Sequence, residues 1–111
     1  SKGMLDITGI KDIVIGGNIK KIGPVAFWGC RDLRSVKLCE GVEEIEAAAF
    51  YLCTELEKVE FPRSFTKCAE CTMTEFPFHG CHKMTAYVYK GSYAEQYCEK
   101  AKRKIEYLDQ D

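Results

Sequence analysis

The sequence predicts an α/β solenoid: one domain of about three to four short coils, each carrying a short parallel strand and a helical turn, closed by a C-terminal helix. Three observations predict it. Apolar residues of matching class recur at one constant offset along the chain. Within each unit the apolar residues alternate as in a half-buried strand. The chain ends in a segment with helical periodicity that opens on a capping box. Self-similarity at a fixed short period is the signature of a repeat architecture.

The elements follow in order. Ile22, Phe27, Cys30, Leu33, Val36 and Leu38 recur as Ile45, Phe50, Cys53, Leu56, Val59 and Phe61, every pair at an offset of 23. Val42 maps to Phe65 and Ile45 to Cys68 at the same offset, and backwards Leu33, Val36 and Leu38 map to Ile10, Ile13 and Ile15. At an offset of 28, Phe50, Cys53, Leu56, Val59 and Phe61 map to Phe78, Cys81, Met84, Tyr87 and Tyr89, so the third unit carries an insertion between Cys68 and Phe78. Leu33-x-x-Val36-x-Leu38 reads as a strand with one buried face. Asn18, Gly41 and Ser64 supply the turn residue after it. Gly23-Pro24 and Glu46-Ala47 open a brief helical turn, with Pro24 in a position that needs no N–H. A unit this small cannot bury its apolar face alone, but stacking units about 4.8 Å apart gives a continuous core.

The ends read differently. Ser92-x-x-Glu95 starts a helix near Tyr93, and Tyr93, Ala94, Tyr97, Cys98 and Ala101 form one apolar stripe, with Glu95, Lys100, Lys102 and Arg103 toward water. Lys104 to Leu108 forms a last extended segment, and Met4-Leu5-Asp6-Ile7 shields the other end of the stack. The expected division of the single domain 1–111 is an end piece at 1–9, repeats with periods of 23, 23 and 28 over 10–90, and a C-terminal cap over 91–111.

Composition narrows the function. The 111 residues include 16 Lys+Arg and 17 Asp+Glu, a net charge of -1, with 46% hydrophobic residues. This is the composition of one globular domain. The balanced charge argues against nucleic acid or an anionic membrane surface as partner. No apolar run approaches the roughly 18–20 residues of a membrane span, and no signal-type apolar segment opens the chain.

The seven cysteines, Cys30, Cys39, Cys53, Cys68, Cys71, Cys81 and Cys98, are an odd number, so a fully paired set of internal disulfides is excluded. Cys68 and Cys71, with His79 and Cys81 or His82, have the ligand types and spacing of a zinc site. The repeat gives a competing explanation. Cys81 is the counterpart of Cys30 and Cys53, and Cys68 stands where Ile22 and Ile45 stand, which are core positions suited to a small apolar thiol. His79 replaces Trp28 and Tyr51 at an outer position, and Cys71 has no repeat counterpart to explain it. Packing is therefore the expected role, and no cofactor is assigned. No base and orienting group accompany Cys81, and Gly16-Gly17 lacks a following G-K-[ST], so no catalytic residue is assigned either. Cys39 follows its strand where Gly16, Pro62 and Lys90 follow theirs, near the surface, and is the candidate reactive thiol.

Ile22-Gly23-x-x-Ala26-Phe27-x-Gly29-Cys30-x-x-Leu33-x-x-Val36-x-Leu38 resembles the BspA-type (Treponema pallidum-type) leucine-rich repeat of bacterial surface proteins. Tyr87 to Tyr97 looks like the terminal unit of that family, and the resemblance covers roughly residues 10–98. Cys39 and Cys68 depart from the usual Pro and Ile, and the insertion at 69–77 breaks the third unit. The resemblance implies a right-handed leucine-rich-repeat solenoid whose ladder cysteines stay reduced. It also implies a concave binding face made by strand residues between the inward ones: Asp12, Val14, Ser35, Lys37, Lys58, Glu60, Ala86 and Val88. Trp28 and Tyr51 make a second patch on the other side. The implied role is non-catalytic protein–protein interaction or adhesion at a bacterial cell surface or in a secreted protein. The expected partner is another protein, such as a host or bacterial surface protein, with no nucleic acid and no membrane insertion. An intracellular scaffold or spacer is the alternative, and a small zinc module on Cys68, Cys71, His79 and Cys81 a minor one.

Overall fold

The computed structural model describes residues 9–69 and 77–109. The expected shield at Met4–Ile7, Cys71 and most of the insertion before Phe78 lie outside them. The chain winds as a parallel-strand solenoid of about four turns. Sheet A has five strands in the order β1 (Asp12–Ile15), β3 (Ser35–Leu38), β5 (Lys58–Glu60), β7 (Thr85–Val88) and β8 (Lys104–Tyr107). Sheet B has three two-residue strands, β2 (Lys21–Ile22), β4 (Glu44–Ile45) and β6 (Lys67–Cys68). Among the described residues there is one helix, α1 (Tyr93–Lys100), which follows β7. All strand pairs in both sheets are parallel, so each coil lies on the one before it.

The constant offset becomes register. Val36 pairs with Ile13 and Val59 with Val36, and Ile22, Ile45 and Cys68 line up in sheet B. These rows point inward and are buried, apart from Ile13 at the open end of its row, which is half-buried. The next pairing departs from the expected spacing. Phe78 still stacks on Phe50, at the longer offset, but Val59 pairs with Ala86 and not with Tyr87. Leu56-Glu57-Lys58-Val59 is matched by Met84-Thr85-Ala86, shorter by a single residue. The amides of Glu57 and Lys58 both donate to the Arg34 carbonyl, whereas Thr85 alone donates to that of Glu57. Since a strand alternates faces residue by residue, the shortening turns Tyr87 outward and Ala86 and Val88 inward.

The third side of each coil, which the sequence predicts as a helical turn, is a run of β-turns. Ala26, Trp28 and Cys30 donate to carbonyls of the preceding turn, at Gly23, Val25 and Phe27, but Val25, Phe27 and Gly29 donate to Ala47, Ala49 and Tyr51 of the next coil. Phe50 and Leu52 donate likewise to Pro77 and His79. With alternate amides committed to the neighbour, no i→i−4 ladder can form. The arrangement places Phe27, Phe50 and Phe78 in one buried column, with ring centroids 5.1 and 5.3 Å apart and rings within 6° of parallel. Gly29, Leu52 and Gly80 share a left-handed conformation in this run, at φ 68°, 61° and 86°. Leu52 occupies it at a steric cost that glycine escapes.

Beside the phenylalanines runs the cysteine column. Cys53 Sγ donates to the Phe27 carbonyl at 3.1 Å, and Cys81 Sγ to that of Phe50 at 3.3 Å. At Phe78 the column of thiols ends. Arg103 takes the next place, its guanidinium donating to the Phe78 carbonyl at 2.6 Å and the Cys81 carbonyl at 2.9 Å. The sequence predicts Arg103 toward water; it is half-buried instead. From the backbone these carbonyls accept only the amides of Cys81 and Met84, and in place of the thiol that the next coil supplies elsewhere a charged fork reaches both at once.

α1 stands where a fourth strand of sheet B would be. The Cys68 amide donates to Tyr93 Oη and Tyr97 Oη donates to the Ala69 carbonyl, both at 3.1 Å, so two tyrosines serve the edge of β6. Ser92 Oγ accepts the Glu95 amide, while the Glu95 carboxylate accepts the amide of Gly91, which precedes the N-cap that the usual reciprocal box would use.

Replacing Arg103 by Met removes both charge-assisted hydrogen bonds and leaves the Phe78 and Cys81 carbonyls with only the amides of Cys81 and Met84, and urea unfolding is expected to show a loss of about 1.5–3 kcal/mol with an unchanged m value. Leu52→Asn, which tolerates the left-handed conformation, is expected to raise stability by about 0.5 kcal/mol in the same assay.

Candidate binding face

The outward side of sheet A presents two rows. The first is Asp12, Ser35, Lys58, Thr85 and Lys104; the second is Val14, Lys37, Glu60, Tyr87 and Glu106. Of the expected face residues, Asp12, Val14, Ser35, Lys37, Lys58 and Glu60 fall in these rows. Ala86 and Val88 do not. Both are 0% exposed and face the core, as the shortened approach to β7 requires, and Thr85 and Tyr87 take their places. A warning was readable in the sequence: Ala86 and Val88 are the compact apolar pair, while Tyr87 and Tyr89 carry hydroxyls that a filled core would strand.

The face is internally tied. Ser35 Oγ donates to Asp12 at 2.6 Å, and Lys58 Nζ lies 3.6 Å from Glu60 and 4.7 Å from the Tyr87 ring centre. Beyond the second row, a groove of about 320 Å³ is lined by Lys37, Cys39, Glu60, Pro62, Tyr89 and Leu108. Its apolar floor comes from the residue that follows each strand. The Arg63 guanidinium lies 3.9 Å over the Tyr89 ring and 3.8 Å from Asp109, whose carboxylate accepts the Lys90 amide. The groove thus pairs an apolar strip with charges of both signs. Such a mixed surface suits a protein contact. Sequence reasoning misses Tyr89 because the repeat alignment places it in the core.

Cys39 lies half-buried in this groove, its amide donating to the Ile15 carbonyl. The other described cysteines, Cys30, Cys53, Cys68, Cys81 and Cys98, are buried thiols. Burial raises the Cys30 thiol, pushes Cys53 and Cys98 up to about 12, and pushes Cys81 up to about 11 despite the lowering influence of Arg103. A desolvated thiol resists ionisation and so resists attack on electrophiles.

The remaining site residues lie elsewhere. Trp28, Tyr51 and His79 stack on the outside of the turns, with centroids 4.3 and 4.8 Å apart. Of the zinc-type set, Cys68 belongs to sheet B, Cys81 bonds to Phe50 and His79 lies on Tyr51. Cys71 lies outside the described residues. Among the described residues, no group of three or more His, Cys, Asp or Glu side chains is placed to hold a metal ion. Among them too, no helix is long and apolar enough to cross a membrane.

The repeat geometry agrees with a comparison against known families. The family described as BspA type leucine-rich repeat region matches residues 4–98, in six copies. The chain belongs to that family. No curated protein and no solved structure matches it. The membership makes this BspA-type chain a repeat module of the protein-interaction kind.

Brief treatment of the native protein with iodoacetamide at mildly alkaline pH is expected to label Cys39 while Cys30, Cys53, Cys81 and Cys98 stay unmodified until denaturant is added. Peptide mass mapping checks this, and native labelling of Cys53 at the rate of Cys39 would refute it.

Proposed function

We propose that this chain is a non-catalytic recognition module that binds another protein through the outward face of sheet A, in an adhesive or interaction role at a bacterial cell surface or in a secreted protein. The observation that carries the reading is the face itself: five parallel strands in register present side chains of both signs beside an apolar groove. The family supports the location, since BspA-type repeats are associated with bacterial surface proteins. Lys37, Glu60 and Tyr89 are its proposed contact residues, with Cys39 at its floor.

A second reading has one observation in its favour. No disulfide joins the described cysteines, which fits a reducing compartment and an intracellular scaffold or spacer. The two readings differ in whether the face has a ligand. Binding to a panel of purified host and bacterial surface proteins, measured by biolayer interferometry, separates them. The Lys37→Glu, Lys58→Glu double variant is expected to weaken the authentic interaction about tenfold and to change its salt dependence. A partner bound equally well by both proteins discards the face.

A further inference from the structure

The groove at the strand ends of sheet A combines three features that the rest of the outward face lacks. The first is a carbonyl without its ladder donor. At the residue after the strand, the Cys39 amide donates to the Ile15 carbonyl and the Leu108 amide to that of Val88. Pro62 holds the same place against Leu38, one pair beyond Glu60 on Lys37. A proline has no N–H to give. Among the described residues no other backbone amide donates to the Leu38 carbonyl. The Leu38 side chain points into the core, 2% exposed, so it is the backbone of Leu38 that lines the groove.

The second feature is a cation without a counter-charge. The two carboxylates of the groove are engaged: Glu40 accepts the amides of Arg63 and Ser64, and Glu60 lies 3.6 Å from Lys58. Lys37 is exposed, and its ammonium has no ion-pair or hydrogen-bond partner among the described residues. The third is the floor of Cys39, Pro62, Tyr89 and Leu108, under a space of about 320 Å³. That is the small end of the range for ligand cavities, which suits one or two side chains.

We propose that this groove takes an extended segment of the partner protein in which an apolar residue and a carboxylate stand two residues apart. The proposal rests on the recognition reading above and gives that reading its ligand class. The apolar side chain lies on the floor, the carboxylate meets Lys37, and a backbone amide of the segment donates to the Leu38 carbonyl. Lys37 and Cys39 are themselves two residues apart along one strand, so they face the same way about 6.6 Å apart. Residues i and i+2 of an extended segment keep the same step. A basic segment would meet Lys37 with like charge and find Glu40 and Glu60 already engaged.

Titration of the isotopically labelled chain with two blocked pentapeptides, acetyl-Ser-Leu-Ser-Glu-Ser-amide and its counterpart with Gln for Glu, tests this by amide chemical shifts. The Glu peptide is expected to shift the amides of Leu38, Cys39, Tyr89 and Leu108, and at low salt to bind about fivefold tighter than the Gln peptide. Lys37→Met, at an exposed position, is expected to erase that preference. Pro62→Val keeps the floor apolar and returns an N–H to Leu38, and is expected to weaken both peptides about threefold. Equal affinity for the two peptides, a preference that survives Lys37→Met, undiminished binding to Pro62→Val, or no shifts in the groove overturns the ligand class. The recognition reading fails separately, when a protein partner binds the Lys37→Glu, Lys58→Glu variant as well as the wild type.

Discussion

Everything in this molecule depends on the register in which one coil lies on the next. Parallel ladders supply the backbone partners that coils this short cannot supply for themselves, and the side chains follow the backbone in steps of two. A slip by a single position therefore exchanges core for surface along a whole strand. The chain makes such a change between β5 and β7. Dropping a residue before Ala86 keeps small apolar side chains inside and sends Tyr87 and Tyr89 outward, where Lys58 and Arg63 lie over their rings. The groove exists because of that shortening.

Register also explains the cysteines. Once coils are aligned, the Phe27 and Phe50 carbonyls each meet a thiol from the coil that follows, and a small, weakly donating side chain suffices there. At the end of the column the same carbonyl on Phe78 needs a donor from a different element, and Arg103 reaches it from beyond α1. The stack is thus finished at its C-terminal end by one guanidinium and two tyrosine hydroxyls.

Much of the fold was legible because the period is strict from Ile10 to Cys68. The inward rows, the strand positions and the packing of Cys30, Cys53 and Cys81 follow from apolar class at constant spacing, and the start of the helix at Tyr93 from the Ser92-x-x-Glu95 box. Three features were not. The helical turns became β-turns because alternate amides serve the adjacent coil, a commitment between coils that local propensity does not encode. The register beyond Met84 was hidden because tyrosine passes as an apolar residue, so two alternations fit the same stretch and only packing volume distinguishes them. Arg103 escaped notice because a long cation at the end of a helix ordinarily points to water. Of the binding face, the residues on β1, β3 and β5 were legible, while its fourth strand was inverted, with Ala86 and Val88 in place of Thr85 and Tyr87.

The register at β7 is open to direct measurement. In a parallel ladder, nuclear Overhauser contacts between neighbouring strands read the pairing residue by residue. The account predicts contacts joining Val59 with Ala86 and Glu60 with Tyr87, together with contacts from the Lys58 side chain to the Tyr87 ring. Contacts joining Val59 with Tyr87 and Phe61 with Tyr89 would contradict it, since they would return both tyrosines to the core and remove the groove.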